Sequence, residues 1–182
     1  MEVCERYAHP AREHDLMPAL VFKAVKPKRL QDQILKNWFR GNMMTAVREI
    51  RADFEQTTRT WKHRPEFVAE MDLEGPGPTV MVGTDDEIYR YVDEGTKPHI
   101  IRPVHGKRLV FQGGYSAKTA PHVIGSQEGG AFGDRVFATE VHHPGNEARE
   151  FTKDIQKRWQ PRFKARMEDA MRKAAQESGH GV

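Results

Sequence analysis

Between Lys28 and about Thr60 the chain has no proline, and its apolar residues recur at helical spacing: Leu30, Ile34, Trp38, Met43, Val47, Ile50, Phe54 and Trp61. That recurrence puts them along one side of a helix. At about 1.5 Å per residue, such a helix runs roughly 45–50 Å, more than the diameter of a small domain. One end is therefore expected to project or to meet a neighbour. Gly41 is its weak point, costing about 1 kcal/mol against Ala, and a bend is expected there.

Before this segment, "ALVFKAV" (19–25) reads as a short strand, and the polar residues 1–18, with Pro10 and Pro18, read as an arm. After Pro65 the period changes to two. Phe67, Ala69, Met71 and Leu73 alternate, "EGPGP" reverses the chain and "TVMVG" (79–83) returns, so 67–83 is expected to be a hairpin. Thr84 with Glu87 has capping-box spacing, which predicts one or two helical turns before Gly95. "HIIRPV", "KRLVFQ" and "RVFATEV" are further strands. Residues 113–134 are Gly-rich and aperiodic, and are expected to form a long loop, mobile in the free protein.

The clearest stripe is the last. Ile155, Trp159, Phe163, Met167 and Met171 recur every four residues among lysines and arginines. Pro161 interrupts them, which predicts a helix with Pro161 in its first turn, preceded by a shorter turn from Thr152. The order predicts an α+β fold: a small antiparallel sheet packed by a long N-terminal helix and a C-terminal amphipathic helix, in one domain over 19–178.

Composition narrows the function classes. The chain has 182 residues, 37% hydrophobic and 30% charged, a lean core that suits a structure completed by partners. A formal net charge of +3 permits proximity to DNA without arguing for it. Cys4 is the only cysteine, so an internal disulfide and a thiolate zinc site are excluded for one chain. The start has no apolar stretch of signal-peptide length and no window approaches a membrane span, so a soluble protein without a membrane partner is expected.

Candidate chemistry is sparse. His142 and His143 are adjacent, so in a strand they point to opposite faces, and no HExxH or HxH pattern stands nearby. Asp93 and Glu94 are sequence neighbours, which rarely gives the opposed geometry of two-carboxylate catalysis. Such a pair before Gly-Thr is better suited to capping a turn or meeting a basic neighbour. The basic residues of the last segment, Lys153 to Lys173, read first as a solvated face and second as contact with an acidic surface or DNA. No catalytic residue, metal site or cofactor is expected.

The string "YRYVDEGTKPHIIRP", then "GKRLVF", then a strand ending "VHHPGNEAREF", then a basic amphipathic helix, resembles the neck (tail-completion) protein family of long-tailed phages. The positions that carry the resemblance are Tyr89, Tyr91, Glu94, Gly95, Thr96, Ile101, Pro103, Lys107, Leu109, Phe111, His143, Pro144, Gly145 and Phe151. The following helix brings Trp159 and Phe163. Glu150 departs from the pattern, standing where the family usually has proline, and the 1–18 arm and the length of 113–134 are additions. The resemblance implies a non-enzymatic virion protein at the head-to-tail junction, in a homo-oligomeric ring, six-fold in symmetry. Its implied partners are a tail terminator or tail tube protein on one side and a head-closure or adaptor protein on the other. Genome DNA would pass through the lumen unread. Contacts with these partners are expected at Tyr115, Lys118, Phe132, Asp93 and Glu94. The alternatives are another connector-region ring component, a tail terminator or head-closure protein, and a metal-dependent nuclease.

Overall fold

Burial selects a sharper stripe on the long helix than spacing alone. In the computed structural model, which describes residues 17–23 by their backbone and residues 31–74 and 77–180 in full, the helix buries Leu35, Phe39, Met43, Ala46, Ile50 and Phe54. The steps are four, four, three, four and four residues, the repeat that keeps one face inward over many turns. Ile34, Trp38 and Val47, read as stripe members from the sequence, lie half-buried at its margins. The arm expected over 1–18 falls outside the described residues apart from Met17 and Pro18.

The first half of the chain gives β1 (Met17–Lys23), α1 (Asp32–Thr57), β2 (Val68–Asp72), β3 (Thr79–Thr84) and α2 (Glu87–Glu94). There follow β4 (His99–Ile101), β5 (Leu109–Gln112), β6 (Tyr115–Ser116), β7 (Gly130–Ala131), β8 (Arg135–Ala138), β9 (Val141–His143) and α3 (Phe151–Glu177). The architecture is α+β with small antiparallel sheets, a long N-terminal helix and a C-terminal helix, as the period changes predict. Where the sequence suggests one domain over 19–178, the chain divides into two compact units. One takes the residues up to 54, then 66–85, then those from 155 on; the other takes 55–65 and 86–154.

The first unit is built on a three-stranded antiparallel sheet in the order β1-β3-β2. The predicted hairpin is present, with Val68 opposite Gly83 and Asp72 opposite Thr79. Val80 and Val82 of β3 are buried, as is Phe67, whose ring lies 5.3 Å from that of Phe54. Met71, predicted inward, is 41% exposed because β2 is the sheet's edge. Within this unit α3 buries Ile155, Trp159, Phe163, Met167, Ala170 and Ala174. Each large apolar side chain buried this way is worth roughly 1.5–3 kcal/mol.

α3 corrects two expectations. It is one helix from Phe151, and Pro161 lies inside it rather than in its first turn. An internal proline removes one backbone bond and crowds the preceding turn, at about 3 kcal/mol. Trp159 and Phe163, two residues to either side of Pro161, are both buried, and tertiary packing of this kind overrides local propensity. Pro161 itself is exposed, where the lost N–H leaves no buried orphan.

The basic face of α3 is largely spent on its own neighbours. Arg158 and the Trp159 indole N–H both donate to the Asp53 carboxylate, at 3.2 and 2.7 Å. Arg166 donates to Glu49, Lys173 and Arg172 pair with Asp169, and Lys164 pairs with Glu168. This favours the reading of an ordinary helix surface over that of a free cationic stripe.

Candidate assembly surface

In the second unit α2 starts one turn later than its capping-box spacing suggests. Asp86, not Thr84, is the cap: its Oδ1 accepts from Tyr89 N at 2.7 Å, and His63 pairs with its other oxygen. Thr84 is instead the last residue of β3 and is buried there. Tyr89 and Asp93, four residues apart, are the buried face of α2. Burial pushes the Tyr89 phenol well above its usual range, and the Asp93 charge adds to the shift.

Asp93 is the pivot of the unit. Its carbonyl accepts from Arg149 N and Glu150 N at 3.1 and 3.0 Å, and its carboxylate accepts from Thr152 N at 3.2 Å. Thr152 is the second residue of α3, so Asp93 satisfies one of the N–H groups that a helix start leaves without an internal partner. The negative carboxylate also suits the positive end of the helix. The sequence suggested an acidic pair facing a partner; Asp93 is instead buried and committed within its own chain. Glu94 beside it is exposed.

The next residues are locked by two glycines. Thr96 and Asn146 exchange backbone hydrogen bonds at 2.9 and 3.2 Å. Gly95 has φ +79°, and a Cβ there would come within 2.8 Å of Ala148 N. Gly145 has φ +86°, and its Cβ would sit 2.1 Å from Thr96 O. Only glycine fits either place. Glu150 follows with φ +55°, its N–H bound to the Asp93 carbonyl. Proline, fixed near −65° and lacking an N–H, cannot occupy this conformation. The departure at this position therefore has a structural consequence. The Glu150 carboxylate pairs with Lys153, which holds its pKa below the usual range, and it also lies near His122.

From this joint the chain leaves as a two-stranded antiparallel ribbon: β4 with β9, β5 with β8, then β6 with β7. Side chains alternate between its faces. Val110 and Phe137 are opposite each other on one face and Phe111 and Val136 on the other. All four are exposed, Val110 and Phe137 at 57% and 60%. Tyr115 and Phe132 are exposed more fully, at 74% and 71%. A two-stranded ribbon is marginal in water by itself, and apolar side chains on both faces call for cover.

The segment 113–134 is not the single mobile loop its composition suggests. It contains β6 and β7, and its remainder is tied down. Lys118 Nζ donates to Thr60 O at 2.6 Å, Thr60 N donates to Ser126 Oγ at 3.1 Å, and His122 N donates to Arg149 O at 3.1 Å. Lys118, expected to contact a partner, spends its charge on this internal tie; Tyr115 and Phe132 remain outward. Gly129 and Gly133 allow the close backbone approach, since a Cβ at either would reach 2.8 and 3.0 Å from main-chain atoms.

The histidines do not converge on a metal. His99 pairs with His143 across the ribbon, their rings stacked at 5.0 Å, while His142 lies opposite Ile100 and contacts Glu140. His143 Nδ1 accepts from Gly145 N at 3.0 Å, which places it among the turn's structural bonds. Among the described residues no group of three or more His, Cys, Asp or Glu side chains could hold a metal ion. Among them, too, no helix is long and apolar enough to cross a membrane.

Of the resemblance positions, Tyr89, Gly95, Thr96, Gly145 and Phe151 meet in this joint, where the Tyr89 and Phe151 rings lie 6.0 Å apart. Leu109 and Phe111 lie in the ribbon and Pro103 and Pro144 flank its strands. Tyr91 is exposed beneath Arg90. Spacing overlooked Val110, Ile100 and Phe137 as surface residues; the available signal was apolar side chains at successive positions, which in a strand must occupy both faces. No family model, curated protein or solved structure matches this chain.

Proposed function

We propose that this chain is a non-enzymatic structural protein of the head-to-tail neck of a tailed-phage virion. It forms a homo-oligomeric ring, six-fold in symmetry, that joins the capsid connector to the tail tube and its terminator. DNA passes through the ring without being read. The observation that carries the reading is the apolar ribbon, exposed on both faces and clamped at its base by the joint of Asp93, Gly95, Thr96, Gly145 and Asn146. Such a surface favours permanent assembly over turnover. The order of the motifs, and their concentration in that joint, support the neck family over other virion parts.

Intact-virion mass spectrometry tests this. The protein should be present at a fixed low copy number in finished particles. Its absence from particles, together with metal-dependent nuclease turnover by the purified protein, would favour the enzyme reading instead.

A further inference from the structure

The free edge of β2 and the free edge of β5 are complementary. Among the described residues β2 pairs only with β3 and β5 only with β8, so each offers an unpaired row of backbone groups. On β2, Val68, Glu70 and Asp72 share one face of the sheet, while Ala69 and Met71 share the other with the buried Val80 and Val82. On the ribbon, Arg108 and Val110 share one face, and Leu109 and Phe111 share the other. Joined edge to edge, the two strands can set Phe111 beside Met71 on the apolar side. On the opposite side they set Arg108 beside Glu70.

The charges discriminate between edges. Lys107 and Arg108 enter β5 with no acidic residue in 97–112, whereas β8 is flanked by Asp134 and Glu140. The β2 edge carries Glu66 and Glu70 among its exposed residues, so β8 would be repelled where β5 is attracted.

We infer that the β5 edge of one copy adds as a strand to the β2 edge of a second copy, a head-to-tail contact. The occupant is a second copy because both complementary edges belong to this chain. Different patches meet in such a contact, so its repetition closes a ring or runs on as a filament. The inference deepens the ring proposed above and rests on it for closure, while its chemistry rests on the two edges.

Charge reversal in solution tests the contact. Glu66→Lys with Glu70→Lys makes β2 basic; Lys107→Glu with Arg108→Glu makes the ribbon acidic. Each double variant alone should associate at least tenfold more weakly than the natural protein in sedimentation, with its circular dichroism unchanged. An equimolar mixture should assemble again, because each reversed edge then meets its complement on the other variant. Assembly of either variant alone at the natural strength, no rescue on mixing, or a natural protein monomeric at all concentrations overturns the inference. Virion content, measured independently, decides the neck reading whatever the outcome here.

Discussion

The Asp93 carboxylate receives the backbone N–H of Thr152 at 3.2 Å, so the end of α2 caps the start of α3 across 59 residues of chain. Everything between them, including the ribbon, leaves and returns through this joint. Replacing Asp93 with Ala removes the cap and leaves a buried donor without its acceptor. A loss of about 1–2 kcal/mol is expected in urea unfolding. Asp93→Asn, which keeps an acceptor oxygen, should lose less.

The glycines separate strain from space. A Cβ on Gly145 would overlap Thr96 O at 2.1 Å in a backbone already at φ +86°. Gly145→Ala should therefore destabilise by at least about 2 kcal/mol, since neither the clash nor the dihedral can relax without opening the joint. Gly41, inside α1 with nothing within 4 Å of its Cβ position, should behave in the opposite way. Gly41→Ala should stabilise by about 0.5–1 kcal/mol, read as a rise in melting temperature.

Burial and the Asp93 charge raise the Tyr89 phenol above its model value of 10.0. For a group raised on folding, the stabilising difference is whole below the unfolded pKa. It is lost as pH climbs, because the unfolded chain releases the proton first. Above about pH 10 stability should thus fall by roughly 1.4 kcal/mol per pH unit from this residue. Tyr89→Phe should flatten that alkaline limb; an unchanged slope in urea titrations between pH 9 and 11.5 would refute the assignment.

Trp159 and Phe163 are 3% and 2% exposed, on a helix whose first and last turns depend on their packing across Pro161. Trp159→Ala or Phe163→Ala should cost roughly 3–5 kcal/mol. Trp159→Phe retains the ring but leaves Asp53 without its indole donor at 2.7 Å, and a smaller loss is expected. Thermal melting of the three variants checks the order.

The sequence was most legible where one force decides. The spacing of Phe163 and Met167 led to α3, and the alternation from Phe67 to Leu73 led to β2, because burial alone sets those periods. It misled where two forces compete. Pro161 read as a helix start on propensity, yet the buried residues on either side keep the helix continuous. Asp93 read as a surface acid because nothing in its local sequence reveals a helix start 59 residues away. The glycines of 113–134 suggested freedom, but Gly129 and Gly133 serve close backbone approach, a use that composition does not distinguish from flexibility. The joint's glycines were legible as turn residues; that Gly95 and Gly145 face the same pair of strands was not.

A cryo-EM reconstruction of the head-to-tail junction tests the central claim most directly. The account predicts a closed ring of this chain between the capsid connector and the tail tube, with each ribbon covered by neighbouring protein and the Asp93–Thr152 joint intact in every copy. A junction without such a ring, or a ring in which Val110, Tyr115, Phe132 and Phe137 all still face solvent, would contradict it.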